Sequence, residues 1–119
     1  MTNALKIETF PYFFAIAKIR NPASINWKSP FVFVGKTDDE LSLVALESEV
    51  PSDAYPVDRG YRMMRVAGTL DMSLTGILAR ISKVLADEEI PIFAVSTYNT
   101  DYILVKSHTF KLSLIHISE

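Results

Sequence analysis

The chain of 119 residues has no cysteine, no large excess of charge of either sign and no long apolar run. Without cysteine there is neither a disulfide framework nor a thiolate zinc site, a composition that fits a cytoplasmic protein. Twelve basic and fourteen acidic residues leave a net charge of −2. That balance excludes the broad basic surface that nucleic acid or an anionic membrane would require. The longest apolar run, Tyr12–Ala17, falls far short of the ~20 residues that span a bilayer. The opening MTNALKIETF lacks the basic-then-apolar pattern of a secretory signal. No Ser/His/Asp set, no catalytic carboxylate pair and no His/Asp/Glu cluster stands out, so the chain is expected to be no enzyme, with neither cofactor nor metal. What it has in quantity is hydrophobic side chain, 49% of all residues, enough for a packed core in one compact domain or two half-sized units.

The arrangement of those apolar residues predicts an α+β fold. Tyr12–Ile19 is apolar on both faces and aromatic-rich, a buried strand. Asn21–Ser29 contains Pro22 and little periodicity, so one or two helical turns are the most it supports. Phe31–Gly35 and Leu41–Glu47 flank the polar bend Lys36–Glu40 and read as a hairpin. Glu47–Asp58 is an acidic linker carrying Pro51 and Pro56. Tyr61–Leu70 is a further strand.

From Met64 to Lys106 the pattern becomes strand, glycine turn, helix, strand, tight turn, strand. Ile77, Leu78, Ile81, Val84 and Leu85 form one stripe at helical period, predicting a helix over Leu74–Asp87 that Ser73 or Thr75 can cap. Its end is poorly made: Asp87, Glu88 and Glu89 crowd the negative pole of the helix, and no glycine offers a left-handed cap. Pro91 opens a strand, where a missing N–H does least harm. Phe31–Val44 also superposes on Ile92–Val105 at an offset of 61, with Val34/Val95, Leu43/Leu104 and Val44/Val105 identical. This suggests a duplicated strand–helix–strand–strand unit whose first helix is shortened.

The turn Ser73–Gly76 is the first candidate site. A glycine at a strand-to-helix turn exposes backbone N–H groups, and a helix start favours negative charge, so a small carboxylate is its natural guest. Glycine there could equally serve only the dihedral angles of the loop. Asp101 suits either a ligand contact or turn chemistry, since Asn99-Thr100-Asp101 is a natural bend. Asp71 reads as a loop-holding residue. Trp27, Met63 and Met64 read as core or interface packing, and His108 as an exposed side chain near a chain end.

DMSLTGILARISKVLADEEIPIFAVSTYNTDYILVK resembles the ACT domain, a small regulatory module that binds amino acids. Asp71, Gly76, Ile77 and Leu78 fit its acid–Pro-Gly–aliphatic signature, with Thr75 in place of proline. SLTGIL, IFAVSTYNTDYILVK and the hairpin FVGKTDDELSLV are more narrowly similar to bacterial tandem-ACT proteins related to the CASTOR-type arginine sensors. The resemblance spans Tyr12–Lys106. It implies a ferredoxin-like fold built as a tandem pair of units: residues 1–58 an abbreviated first unit with linker, and 59–111 the second. It further implies a cytoplasmic homodimer that senses an amino acid. The ligand contacts would fall on Thr75, Gly76, Ile77, Thr97, Tyr98, Thr100 and Asp101. Thr100 stands where the arginine sensors carry an aromatic, and Leu74 where they carry an acid. A guanidinium would therefore lose a charge-assisted partner of about 1.5–3 kcal/mol. The alternative is a dimerisation or interaction module with a vestigial cleft.

The last eight residues, LSLIHISE, match the translation of a transposon end used in sequencing adapters. The natural sequence is expected to diverge after Lys111. Leu112–Glu119 is then an opportunistic packer whose loss changes stability by less than about 1 kcal/mol.

Overall fold

The computed structural model describes residues 6–68 and 74–118. Its elements follow the chain as β1 (Lys6–Thr9), β2 (Phe14–Lys18), a 3-10 turn (Pro22–Ser24), β3 (Val32–Lys36), β4 (Leu41–Leu46), a second 3-10 turn (Glu47–Glu49), β5 (Val57–Gly68), α1 (Leu74–Asp87), β6 (Phe93–Ser96), β7 (Asp101–Lys106) and α2 (Ser107–Ser118). The architecture is mixed α+β with antiparallel pairing, as the sequence predicts. Two compact units divide the chain: Tyr12–Tyr61, and Met1–Pro11 together with Arg62–Glu119. The break falls within β5, just after Gly60, whose φ of +84° a side chain would strain.

In the N-terminal unit β4 pairs with β2 on one side and β3 on the other, and β2 pairs with the first residues of β5. Alternation along the strands sends Leu43 and Ala45 to one face. There they meet Ile19 and Ile25, with Val32, Leu41 and Ala54 packed around them. Ile25 and Ala54 come from irregular segments, so a short turn and a linker cover this face. Asn21 caps the first turn, accepting a bond from the Ala23 N–H at 3.0 Å. Trp27, expected as core or interface packing, is 66% exposed and so lies outside the core. Its segment makes only the Asn21-capped turn, which ends at Ser24, and Trp27 lies beyond it.

In the C-terminal unit β5 lies beside β7, β7 beside β6, and β1 pairs with β5. Ile77, Ile81 and Leu85 of α1 pack on Met64, Val66, Ile103 and Val105 of the sheet, with Ile90 and Ile117 completing the core. The helix occupies the span its periodicity predicts. Its end differs. The Ile90 N–H bonds to the Leu85 carbonyl and the Glu89 N–H to the Ala86 carbonyl, both at 2.9 Å. This is the closing pattern of a Schellman motif, with the Ile90–Leu85 contact buried in the core. Glu89 holds the left-handed position at φ 58°, a place glycine usually fills.

Three features escape the sequence pattern. β1 is short and mostly exposed, so KIET carries no alternation to reveal it. β5 begins at Val57, directly after Pro56, which shortens the linker. Leu112–Ser118 belongs to α2, where Ile117 is buried in the core and Leu114 packs against it, while Leu112 and Ile115 face solvent.

The repeat is real in shape but slips by one residue. Lys36 pairs with Leu41 and Ser96 with Asp101, so the hairpins correspond at an offset of 60, not 61. The turn sets the register. The Thr37 N–H bonds to the Glu40 carbonyl at 2.9 Å, and the Thr97 N–H to the Thr100 carbonyl at 2.8 Å. At this offset Leu43, Val44 and Ala45 coincide with Ile103, Leu104 and Val105, and all six are buried. A shift of one residue would exchange the faces of every side chain.

Candidate functional site

The candidate residues lie in two segments of the C-terminal unit, and chain connectivity brings both to one end of it. β6 leads away from the C-terminal end of α1. The β6–β7 turn therefore sits at the other end, where β5 finishes and α1 begins. One bond confirms this placement: the Thr100 hydroxyl donates to the Val66 carbonyl, near the end of β5.

At the helix start, Thr75, Gly76 and Ile77 are the second to fourth residues of α1. The start of a helix is the positive end of its dipole, which makes this stretch receptive to an anion. The Ile77 side chain is fully buried beneath the helix, so only its backbone can meet a ligand. Asp71 and Ser73, with the approach to the glycine, lie outside the described residues.

At the turn, the Thr97 hydroxyl donates to the Thr100 carbonyl at 2.9 Å and accepts from the Thr100 N–H at 3.4 Å. Both threonine hydroxyls thus brace the turn. Tyr98 is wholly exposed at its tip. Asp101 is different. It opens β7 only 7% exposed, on the face that Ile103 and Val105 share with α1. A carboxylate is the natural partner of a cation such as an ammonium group.

Beside the turn, sequence reasoning missed an arginine cluster. The Arg65 Nε donates to Glu8 Oε1 at 2.8 Å, and its Nη1 lies 3.4 Å from the Tyr102 hydroxyl. The Phe10 ring lies 4.9 Å from its guanidinium. The hydrogen bond from Arg65 lowers the Glu8 pKa below the usual carboxylate value. The same bonds raise that of Arg65. Arg62 donates to the Phe10 carbonyl at 2.8 Å and stacks on Phe110 of α2 at 4.3 Å. These arginines tie β1 and α2 to β5, and no local pattern signals it, because their partners are distant in sequence. Among the described residues no three His, Asp or Glu side chains gather where a metal could sit.

Residues 57–113, from β5 into α2, match the family model of the ACT domain. No curated protein matches the chain. Among solved structures, a protein from Agobacterium tumefaciens is similar at 29% identity and a TM-score of 0.84, covering 98% of this chain and 88% of its own. A domain proposed as the C-terminal regulatory domain of aspartate kinase from Porphyromonas gingivalis is similar at 18% identity and a TM-score of 0.60, covering 98% of this chain and 95% of its own. Aspartate kinase from Clostridium acetobutylicum gives 13% identity and a TM-score of 0.68, covering 98% of this chain and 34% of its own. The last two are likenesses of fold alone. That fold is the ferredoxin-like α+β arrangement of ACT domains.

Proposed function

We propose that this chain, whose residues 57–113 match the ACT domain, is a non-enzymatic regulatory protein that binds an amino acid. ACT domains are in general regulatory modules for small molecules. The observation that supports an amino acid is the acid Asp101, largely buried and set at the end of the unit where α1 begins. An amino acid presents one charge to each. Its carboxylate would meet the backbone N–H groups of Thr75, Gly76 and Ile77, and its ammonium the Asp101 carboxylate. Thr97 and Thr100 would hold the turn in shape, and Tyr98 would cover the apolar side by swinging inward from its exposed position. In this reading the protein is a cytoplasmic homodimer. Among the described residues no helix is long and apolar enough to cross a membrane.

A second reading, an interaction module with a vestigial cleft, is favoured by one observation: both threonine hydroxyls are already engaged within the fold. Thermal melts with each of the twenty amino acids separate the two. A ligand at 100 times its dissociation constant adds about 2.7 kcal/mol to stability. A shift with one amino acid, absent with the keto acid of the same side chain, is the expected result. Twenty flat melts would reject amino-acid binding.

A further inference from the structure

We infer that the outer edge of β3 is the surface through which two copies of this chain pair, antiparallel about a two-fold axis at Val34. The inference rests on the homodimer reading and adds to it the surface, the register and the residues that meet.

In the N-terminal unit β3 pairs with β4 on one side, and among the described residues no strand lies on its other side. The hairpin fixes which backbone groups face out. The Thr37 N–H bonds to the Glu40 carbonyl. By antiparallel alternation Phe33 and Gly35 then turn their N–H and C=O groups towards β4, and Val32, Val34 and Lys36 turn theirs to the outer edge. Val34, in the middle of that edge, is 36% exposed. Edge strands are commonly blunted by brevity, proline or charge. β6, the outer strand of the other hairpin, is four residues long and follows Pro91 closely. β3 has no proline, and its one charge, Lys36, stands at its end.

The edge is complementary to itself. Pairing centred on Val34 engages all three outward residues of both copies, and no other centre does. It sets Val34 opposite Val34, Val32 opposite Lys36, and Phe33 opposite Gly35. Glycine at position 35 has no cause within the unit. Its φ is not left-handed. Beyond its chain neighbours, a Cβ there would meet no atom nearer than that of Ser42, at 4.0 Å. Across the edge the glycine has a use, because an aromatic ring laid over it restores the packing it lacks. The two-fold supplies that contact twice, once from each Phe33. The charges agree as well. Antiparallel pairing carries the acidic bend Asp38–Glu40 of each copy towards the end of β3 that Lys28 precedes in the other. A patch that fits itself in this way makes a closed, isologous contact.

The two-fold makes the test specific to the register. Facing residues of a hydrogen-bonded pair have Cα atoms about 5.5 Å apart, within reach of a disulfide. The chain has no cysteine, so Val34→Cys carries its sole thiol. Mild oxidation is expected to convert this variant to a covalent dimer. Lys36→Cys is the control: its two thiols would lie more than about 12 Å apart, and no cross-link is expected. Gly35→Val places a side chain where the ring of the second copy would lie, so it should weaken dimerisation at least ~10-fold in sedimentation over a dilution series. Its melt at concentrations where the chain is monomeric should match the wild type, since nothing in its own unit crowds the site. A wild type that sediments as a monomer at every concentration would overturn the inference and the homodimer reading together. A wild-type dimer in which Val34→Cys fails to cross-link, Lys36→Cys cross-links as readily, or Gly35→Val dimerises unimpaired would overturn the edge pairing alone.

Discussion

The two units solve one packing problem in different ways. Each presents the apolar face of an antiparallel hairpin that must be covered. The C-terminal unit covers it with α1 and α2, whose Ile77, Ile81, Leu85 and Ile117 reach into one core. The N-terminal unit uses Ile25 from a loop and Ala54 from a linker. A regular helix brings several aliphatics at once and leaves a row of N–H groups at its start, whereas a loop brings one or two and leaves none.

The sharpest way to break this comparison is to remove one covering residue from each unit. Ile81→Ala, inside the helix-covered core, is expected to cost about 3–5 kcal/mol, because the helix holds the cavity open. Ile25→Ala should cost about 2–3 kcal/mol, since an irregular loop can settle into the space it leaves. Urea unfolding of both variants measures the difference. Equal losses would mean that the loop is as rigid a cover as the helix.

Deleting residues 112–119 probes the second helix of the cover. Ile117 is 3% exposed and Leu114 packs beside it, so their loss is expected to cost about 3 kcal/mol at roughly 1.5–3 kcal/mol for a fully buried aliphatic. This exceeds the loss of less than about 1 kcal/mol expected for an opportunistic tail. Leu112 and Ile115 in solvent are the residues an adapter-derived helix would misplace. Leu112→Lys with Ile115→Lys should leave the melt almost unchanged. A large loss in that double variant would show that these side chains also take part in the cover.

Tyr61, the last residue of the N-terminal unit, gives the comparison a pH signature. Burial, and then its 2.7 Å hydrogen bond to Asp58, push its hydroxyl up to about 12 from 10. Folding therefore favours the protonated form. That contribution is fully present below pH 10 and is lost as pH rises from 10 towards 12. Melts between pH 9 and 12 should show the wild type losing more stability than Tyr61→Phe. Parallel curves would mean that Tyr61 titrates like a free tyrosine.

How much of this could be read from the chain depended on the range of the interactions. The helix Leu74–Asp87 was legible because its stripe from Ile77 to Leu85 holds the helical period over more than two turns, and the hairpins because polar bends interrupt apolar runs. The register was not. Identities at an offset of 61 drew the eye, but the backbone bonds of the Thr37 and Thr97 turns set the pairing at 60. β1 was invisible because its strand pairing and the Glu8–Arg65 ion pair join residues some sixty positions apart. At the candidate site, Asp101 could be singled out by type and position. Its burial could not, since that depends on how β7 sits against α1.

The smallest effect concerns the end of α1, where sequence and structure disagree most instructively. The acids Asp87, Glu88 and Glu89 and the lack of glycine argued against a left-handed cap. The cap forms nonetheless, with Glu89 at φ 58°. Two backbone bonds and the burial of Ile90 against Leu85 outweigh the steric cost of a side chain in that conformation, roughly 1–2 kcal/mol. Glu89→Gly removes that cost and one acid from the negative pole of the helix. Against this, glycine gains freedom in the unfolded chain. The net expectation is a gain of about 0.5–1 kcal/mol, read from the urea midpoint at constant slope. Glu89→Ala is the control: it removes the same charge but keeps the Cβ, so it should recover only the dipole part, about 0.3 kcal/mol. Equal gains in the two variants would assign the whole penalty to charge and would place no strain at Glu89.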